Sequence, residues 1–479
     1  MSNRHFNVLV VEDDSDIADF IASTFKAECA QVNISIVSSR DEAFELLGSG
    51  AFFDYVTLDL SIPDVSGSFE KDASNGLAVL GKVIEVSAGT PILILTGTST
   101  PDMFQDFLGN SNQVDIWGTG KERGTIEHLT KTRIGELSDK IKKAYSEFSS
   151  ILEVELLTGA ESLPIEHDRL IRVFTNFYGG SLGEVRQIGG GLSVAKVYSV
   201  QIKDTSGCII HRAICKCGPK EDIKVDADNY QSFINRLKPE ATPRILGHFR
   251  YAAGSICGVF YGLAENYDDS FFGASLNVVL DEELETSIKS MLVPWHSSSR
   301  HVRKTIRDIR QQLVTDETAT KLYEQFNLVE AHAFESQGVN CKVSCTHGDF
   351  HGENILLDVP SKKATLIDYG DVSEGVSIID PLTLECSFLF HPATIGKLGS
   401  WPTKDNLANW ENLDAYVDGC PVEKSIRFCR EWAYEIGVGN RELAASLYSY
   451  ALRQLKYDDT DKEIAISLIG ASYRLYEQS

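Results

Sequence analysis

Short apolar runs alternate with amphipathic helical patterns over residues 1–131. Helical patterns over residues 16–27 and 41–47 separate the first three runs, and the second pattern ends at a glycine-rich turn. Regular alternation of strand and helix is typical of a parallel sheet that is covered by helices on both faces. The pattern predicts an α/β domain with a doubly wound five-stranded parallel sheet, whose strands are residues 6–11, 32–37, 55–58, 92–95 and 114–117.

Polar side chains collect where these predicted strands end. Chemistry in such sheets lies at the carboxyl ends of the strands, so we expect these side chains to converge. Clustered carboxylates repel one another unless a hard cation joins them, and oxygen ligands suit Mg²⁺. A lysine and a hydroxyl nearby would stabilise further negative charge on one carboxylate. The pattern therefore predicts a carboxylate that accepts a phosphoryl group, built from Glu12, Asp13, Asp14, Asp59, Thr96 and Lys121.

The segments VLVVEDD, TLDLSIP and ILILTGT, together with Lys121, resemble the receiver domain of bacterial response regulators. The resemblance implies that Asp59 is the phospho-acceptor and that Asp13, Asp14 and Asp59 hold Mg²⁺. It assigns Thr96 as the switch hydroxyl and Lys121 as the partner of the phosphate. It also implies a cognate sensor histidine kinase as the phosphate donor.

Three features depart from the receiver pattern. Extra residues are inserted between Pro63 and Gly76, and Glu122 follows Lys121 where the family usually has proline. Trp117 precedes Lys121 by four residues, one more than the usual switch aromatic. Phosphorylation chemistry is compatible with these changes. The usual geometry of the switch residues, however, does not follow from this sequence.

Residues 132–165 are predicted to connect this domain to the rest of the chain. Apolar residues recur at helical spacing over residues 133–154. Such a stripe is consistent with a docking surface or with the interface of a homodimer.

A second motif lies in residues 346–358, THGDFHGENILLD, which are followed by ATLIDYGD at 364–371. Phosphoryl transfer needs a carboxylate near the attacking hydroxyl and oxygen ligands for Mg²⁺ on the nucleotide. Asp349 and Asn354 supply one of each on a loop, and Asp368 follows the next apolar run.

This motif resembles the catalytic and metal loops of the aminoglycoside phosphotransferase and choline kinase families, which are relatives of protein kinases. The resemblance implies that Asp349 is the catalytic base and that Asn354 and Asp368 bind the Mg²⁺ of ATP. It also implies an α+β bilobal protein-kinase-like domain over residues 166–479, with an N-lobe at about 180–265 and a C-lobe at about 266–479.

Upstream residues match the nucleotide-binding part of the same families. A glycine run lets backbone N–H groups approach phosphates, although a simple hairpin turn has the same sequence. Lys216 matches the lysine that holds the α- and β-phosphates, with an exposed strand lysine as the alternative. Asp226 is the candidate for its helical carboxylate partner. The candidate nucleotide-binding residues are Gly189, Gly190, Gly191, Ser193, Lys216 and Asp226.

Composition limits the function further. The chain has 479 residues and a net charge of −24, which argues for more than one domain and against nucleic-acid or membrane-surface binding. The ten cysteines include no C-x-x-C pair, and no apolar run reaches the roughly 20 residues of a membrane span. We expect a cytoplasmic protein.

Taken together, the motifs predict an ATP- and Mg²⁺-dependent kinase for a hydroxyl acceptor, regulated by phosphorylation of Asp59. One alternative is an ATP-binding pseudokinase that acts as a signalling adaptor. Another is an active kinase whose receiver serves only for assembly. The sequence does not distinguish a small-molecule acceptor from a protein.

Overall fold

The structure is a computed structural model that describes residues 4–97, 113–159, 162–188, 195–263 and 267–479. The chain forms two compact units. The first comprises Met1–Lys224 and Ile245–Leu263, and the second comprises Val225–Arg244 and Ala264–Ser479. The division between these units lies within residues 166–479. No helix in the described ranges is long and apolar enough to cross a membrane.

The first unit opens with a five-stranded sheet in the order β2-β1-β3-β4-β5, with every pair parallel. This confirms the predicted doubly wound sheet. Alternate residues of the central strands face opposite sides, so each side has its own apolar core. The strands are β1 (Phe6–Val11), β2 (Val32–Val37), β3 (Tyr55–Asp59), β4 (Ile92–Thr96) and β5 (Ile126–Thr130).

The predicted position of the fifth strand is wrong. Gln113–Val114 forms a short separate ladder with Arg123–Gly124, whereas β5 pairs with β4. Ile116 and Trp117 are buried, but they pack as loop residues against the core. β5 is the edge strand of its sheet, and its sequence IEHLT lacks the continuous apolar run of a buried parallel strand.

Four helices pack on the five-stranded sheet, and they are α1 (Ser15–Glu28), α2 (Arg40–Gly48), α3 (Ala73–Val86) and α4 (Leu137–Glu153). α1 and α4 cover one face of the sheet, and α2 and α3 cover the other. Most of the apolar stripe predicted in the connector belongs to α4 and is buried in the core beside the five-stranded sheet, namely Leu137, Ile141, Ala144, Phe148 and Ile151, while Ile134 precedes α4 and is partly buried. The α4 part of the stripe is therefore a docking surface within the chain.

The first unit also contains a six-stranded sheet in the order β6-β7-β8-β9-β11-β10. Helix α5 (Ile165–Phe177) packs on this sheet, where Phe174 stacks on Phe260 with ring centroids 3.8 Å apart. The strands are β6 (Glu155–Leu157), β7 (Leu182–Gln187), β8 (Lys196–Lys203), β9 (Ile209–Pro219), β10 (Arg244–Phe249) and β11 (Ile256–Gly262).

Helix α5 also contacts the five-stranded sheet. Arg169 is fully buried, and its Nε donates to Asp54 Oδ1 at 2.7 Å. Beside it, Gly89 exchanges backbone hydrogen bonds of 2.8 and 2.9 Å with Gly254 and Ala252. Asp54 and Gly89 precede β3 and β4, so these contacts lie at the amino ends of the strands. The two sheets are joined at the edge opposite to the predicted phosphorylation site.

The second unit is mainly helical and contains two three-stranded sheets, β12-β15-β16 and β13-β14-β17. The predicted bilobal kinase-like architecture stays a prediction. After α6 (Lys220–Ser232), the elements are β12 (Asp269–Ser270), α7 (Phe271–Leu276), α8 (Glu282–His296), β13 (Arg300–Thr305), α9 (Ile306–Arg310), α10 (Asp316–Gln325), α11 (Ala331–Glu335), β14 (Gly338–Thr346), β15 (Ile355–Asp358), β16 (Lys363–Leu366), β17 (Ser373–Val376), α12 (Ile379–Ser387), α13 (Lys404–Ala408), α14 (Leu413–Tyr416), α15 (Glu423–Ile436), α16 (Asn440–Gln454) and α17 (Lys462–Glu477).

Candidate functional sites

Three carboxylates meet at the carboxyl edge of the first sheet. Glu12 and Asp13 follow β1 and Asp59 ends β3, and one oxygen of each lies within 4.8 Å of the others. Glu12 and Asp59 are only 2% and 4% exposed. Asp13 Oδ1 is buried without a hydrogen-bond partner among the described residues. Buried, converging carboxylate oxygens with an unsatisfied acceptor fit a hard divalent cation such as Mg²⁺.

The structure does not place Asp14 in this cluster. Its side chain is exposed and caps α1, with Oδ1 accepting hydrogen bonds from the backbone N–H groups of Asp16 at 3.0 Å and Ile17 at 3.2 Å. Glu12 takes the place that the sequence analysis gave to Asp14. Asp14 is the N-cap of α1, and its carboxylate is used by the free backbone N–H groups of the first turn of that helix.

Lys131, and not Lys121, is the lysine of this pocket. Lys131 follows β5 directly, and its Nζ lies 2.7 Å from Asp59 Oδ2 and 2.9 Å from Glu12. Lys121 is exposed on the loop before β5. The assignment of Lys121 is wrong because it depended on residues 114–117 being the fifth strand. Thr132 follows Lys131 where the family usually has proline.

The correction also changes the position of the switch aromatic. The residue three positions before Lys131 is His128, which is exposed on β5, whereas Trp117 is 1% exposed in the core. Thr96 ends β4, one residue beyond Leu95, the register partner of Asp59. Thr96 is 3% exposed at the carboxyl edge, which is the location that the sequence predicted for the switch hydroxyl.

Burial dominates the electrostatics of Glu12. It raises the pKa of this carboxyl to about 7, because the lowering effect of the hydrogen bond from Lys131 is smaller and the nearby Asp59 raises the pKa further. Its ionised form is therefore costly in this pocket. A divalent cation among these oxygens would favour that form.

The insertion noted in the sequence adds a second lysine. Ile62–Pro63 and Lys71–Asp72 form a short antiparallel ladder, and Lys71 Nζ lies 2.5 Å from Asp13 Oδ2. The receiver resemblance gave no indication of this contact, since the family pattern lacks the inserted residues. The only signal in the sequence was the insertion itself.

We predict that Lys131→Ala lowers the rate at which Asp59 accepts a phosphoryl group by about tenfold, because a charge-assisted hydrogen bond to the acceptor carboxylate is lost. Lys121→Ala removes the same charge from the same domain and should leave the rate unchanged. Phosphorylation by acetyl phosphate, followed on a phosphate-affinity gel, measures both. Equal rates for the two variants would contradict the assignment.

In the second unit, the loop after β14 is fixed by Asp380. The backbone N–H groups of His347 and Gly348 donate to its carboxylate at 2.8 and 3.1 Å. Burial raises the pKa of Asp380 to about 6. Gly348 has φ of 79°, and a Cβ there would lie 2.5 Å from the carbonyl oxygen of Asp371. The loop therefore requires glycine at this position, and its path is set by the buried carboxylate.

Asp349, Asn354 and Asp368 lie around this loop. Asn354 precedes β15 and Asp368 follows β16, and these strands pair with Ile355 opposite Leu366. The backbone N–H of Ile367 donates to the carbonyl of Asn354 at 3.0 Å, so Asn354 and Asp368 lie at the same end of one hairpin.

The loop is closed around Asn354, whose Nδ2 donates to the backbone carbonyl of Asp349 at 2.9 Å. Asp368 has φ of 63°, which is uncommon for a residue other than glycine. The spacing that the sequence analysis identified is thus a compact constellation of polar groups.

Two further residues contact Asp349. The guanidinium of Arg453, from α16, lies 3.3 Å from Asp349 Oδ1 and donates to the carbonyl of Gly348 at 3.1 Å. His351 Nε2 lies 3.5 Å from Asp349 Oδ2, and burial lowers the pKa of this imidazole. The sequence analysis missed Arg453, because no local pattern links it to a loop more than 100 residues earlier.

The candidate nucleotide-binding residues are spread over both units. Lys216, on β9, is 7% exposed. This burial excludes the alternative interpretation of Lys216 as an exposed lysine on a strand. Its neighbours Cys215 and Cys217 pack in the core that contains α5 residues, so Lys216 points to the opposite face of the sheet. Asp226, in α6, is completely buried. Gly189, Gly190, Gly191 and Ser193 lie outside the described residues.

Comparison with known proteins identifies the N-terminal region. The model of the response regulator receiver domain matches residues 8–113. The match covers the acidic cluster and ends before β5 and Lys131. No curated protein matches the chain.

Three solved receiver structures illustrate the similarity. A CheY-like receiver domain protein from Methanospirillum hungatei is 18% identical, with a TM-score of 0.21, and the match covers 30% of this chain and 98% of that one. A phosphorylated cyanobacterial phytochrome response regulator, RcpA, is 17% identical over 30% and 95% of the two chains, with a TM-score of 0.23. The receiver domain of a LuxO repressor protein from Vibrio parahaemolyticus is 20% identical over 29% and 94%, with a TM-score of 0.20. The match to the family model shows that the chain has an N-terminal receiver domain, which implies two-component signalling.

Proposed function

We propose that this chain is a two-component-regulated phosphotransferase. A sensor histidine kinase phosphorylates Asp59, and the C-terminal part transfers the γ-phosphoryl group of ATP to a hydroxyl acceptor. The observation that carries the second half is the constellation of Asp349, Asn354 and Asp368 at one end of the β15–β16 hairpin. The receiver half rests on the family match and on the acidic pocket.

The receiver pocket has the groups that phosphoryl acceptance requires. The phosphoryl group leaves a phosphohistidine of the donor and forms a bond to a carboxylate oxygen of Asp59. Glu12, Asp13 and Asp59 would hold Mg²⁺, which offsets the charge of the incoming phosphoryl group. Lys131 is already in contact with Asp59 and supplies a further positive charge. The hydroxyl of Thr96, at the end of β4, would donate a hydrogen bond to a phosphoryl oxygen.

The constellation in the second unit has the groups for phosphoryl transfer. Asn354 and Asp368 would hold Mg²⁺, which neutralises charge on the nucleotide phosphates when bound. Asp349 is partly exposed, as a base that meets an acceptor must be, and it would take the proton of the attacking hydroxyl. Arg453 contacts both Asp349 and the carbonyl of Gly348 and so holds the carboxylate in place. For Lys216, which lies in the first unit, a contact with nucleotide phosphates stays what the kinase resemblance implies.

A continuous stretch of chain leads from the receiver pocket to the sheet that bears Lys216. It begins at Lys131, continues through the 3-10 helix Lys131–Glu136 and α4, and ends in β6, the edge strand of the six-stranded sheet. A phosphoryl group on Asp59 changes the charge that Lys131 contacts. The effect can be transmitted along α4, which is packed against the receiver sheet over its whole length.

One observation favours a second candidate function. The guanidinium of Arg453 occupies Asp349 Oδ1, and a base that is neutralised in this way could belong to an ATP-binding pseudokinase that acts as a signalling adaptor. A third reading keeps the kinase active and uses the receiver for assembly only. A measurement of ATP turnover distinguishes the pseudokinase from our proposal. The change in turnover on receiver activation distinguishes the kinase whose receiver serves for assembly only.

The test of the proposal is transfer from labelled ATP. We expect the purified chain, incubated with γ-labelled ATP, Mg²⁺ and a cell extract, to label one acceptor in either the protein or the small-molecule fraction. EDTA should abolish the transfer. Binding of ATP without any turnover in the presence of the extract would instead support the pseudokinase.

A further inference from the structure

The inserted segment between Pro63 and Gly76 places the ammonium group of a lysine, Lys71, at the receiver pocket. We name residues 62–72 the Lys71 hairpin. Lys71 Nζ lies 2.5 Å from Asp13 Oδ2, and the two side chains are 45% and 12% exposed. The other oxygen of Asp13 is buried and has no hydrogen-bond partner among the described residues. One carboxylate therefore faces the inserted lysine with one oxygen and the candidate metal site with the other.

The Lys71 hairpin is anchored at its base. Ile62 pairs with Asp72 and Pro63 with Lys71, and both Ile62 and Pro63 are buried. The carbonyl of Ile62 accepts a hydrogen bond of 3.1 Å from Asn75 Nδ2.

The end of the hairpin is fixed to α3. Asp72 caps this helix by accepting from the backbone N–H of Ser74 at 2.7 Å. A Cβ on Gly76 would lie 2.3 Å from the backbone of Leu60, so helix and strand end are in close contact there. The backbone of Lys71 is therefore held beside the pocket, and only its long side chain is free to adjust.

The charges in the pocket set up a competition. Three carboxylates, Glu12, Asp13 and Asp59, share two ammonium groups, from Lys131 and Lys71. Mg²⁺ binds carboxylate oxygens at about 2.0–2.1 Å and keeps several waters in an octahedral shell. A lysine ammonium on the same carboxylate repels that ion and obstructs its water shell. Lys71 and a divalent cation thus oppose each other for Asp13.

We propose that Lys71 is an intramolecular counter-ion that competes with the divalent metal for Asp13 and so sets the metal concentration at which Asp59 becomes phosphorylatable. The proposal rests on the proposed function only in that the receiver pocket binds a divalent cation. Metal binding requires Lys71 to leave Asp13, which its flexible side chain permits. The insertion then makes phosphorylation of this receiver dependent on the metal concentration.

Binding of Mn²⁺ to the full chain without nucleotide, followed by electron paramagnetic resonance, tests this proposal. The receiver site is the portion of the binding that Asp13→Asn removes. Lys71→Gln should tighten that site about fivefold, the upper end for a partly exposed ion pair. Lys71→Arg should retain the wild-type affinity. Lys82→Gln removes the same charge from α3, where Lys82 pairs with Glu85, and should leave the affinity within about twofold of wild type.

A second readout uses phosphorylation itself. The Mg²⁺ concentration for half-maximal phosphorylation of Asp59 by acetyl phosphate should fall about fivefold in Lys71→Gln and stay unchanged in Lys82→Gln. Equal Mn²⁺ affinities for Lys71→Gln and Lys82→Gln, with a clear Asp13-dependent site in both, would overturn the proposed competition. The assignment of the metal site itself would stand. Absence of that site from wild type and Lys71→Gln would overturn both the competition and the metal assignment in the proposed function.

Discussion

Replacing Asp349 by asparagine is expected to lower phosphoryl transfer about a thousandfold while ATP binding stays nearly intact, because a general base contributes about 10²- to 10⁴-fold and makes no contact with the nucleotide. Asparagine has almost the same size as aspartate, and it can keep the contact between position 349 and Arg453. The fold of the loop depends instead on Asp380, which holds the backbone of His347 and Gly348. Loss of transfer would therefore reflect the missing carboxylate.

Two companion variants define this result. Asp368→Asn should weaken Mg²⁺-dependent ATP binding, which calorimetry with and without EDTA measures. Asp371→Asn changes a neighbouring, more exposed carboxylate 4.0 Å from Arg453 and should retain most of the activity. Turnover of Asp349→Asn at the wild-type rate would show that Asp349 is not the base.

The sequence was sufficient to predict the positions of the strands of the first sheet that are buried on both faces. β1, β3 and β4 are mostly apolar, with few polar interruptions, as is typical of strands buried on both faces of a parallel sheet. β5 is an edge strand with exposed positions, so its pattern is mixed, while Ile116 and Trp117 form an apolar run in a loop. The apolar pattern reports burial, and here burial and strand structure do not coincide.

The error in β5 determined the error at the site. The lysine of a receiver follows the fifth strand, so a misplaced strand led to Lys121 in place of Lys131. The choice between Asp14 and Glu12 is of another kind. Adjacent acidic residues cannot be ranked from their spacing alone, because helix capping competes with metal binding for the same side chains.

The constellation around Asp349 was accessible from sequence because its members are close along the chain. Arg453 and Lys71 were not, since each reaches its carboxylate from a distant or inserted segment. Long-range ion pairs leave no periodic signal. They become visible only when the topology brings the segments together.

The second large effect that we expect is a change in kinase turnover when the receiver is activated. Beryllofluoride with Mg²⁺ places the charge of a phosphoryl group on Asp59, beside Lys131. Lys131 begins the segment that leads through α4 to β6 and the sheet of Lys216. Coupling between two sites typically amounts to about 1–3 kcal/mol, or roughly 5- to 150-fold in activity.

The contacts of helix α5 add a second connection between receiver and six-stranded sheet. The buried pair of Arg169 and Asp54 joins them at the amino edge of the receiver strands. Breaking a buried ion pair by removing one partner is costly, so this contact is expected to persist in both states. We therefore expect activation to act through α4 around a fixed junction.

The most direct test of the account is the rate of phosphoryl transfer by the full chain, with its acceptor present, before and after addition of beryllofluoride and Mg²⁺. The account predicts a change of roughly 5- to 150-fold in the wild type. Asp59→Ala should show no response and keep the basal rate, since Asp59 belongs to the receiver and is assigned no role in transfer from ATP. Lys121→Ala should respond as the wild type does. An identical response of wild type and Asp59→Ala, or no response in either, would contradict the claim that the receiver regulates the phosphotransferase.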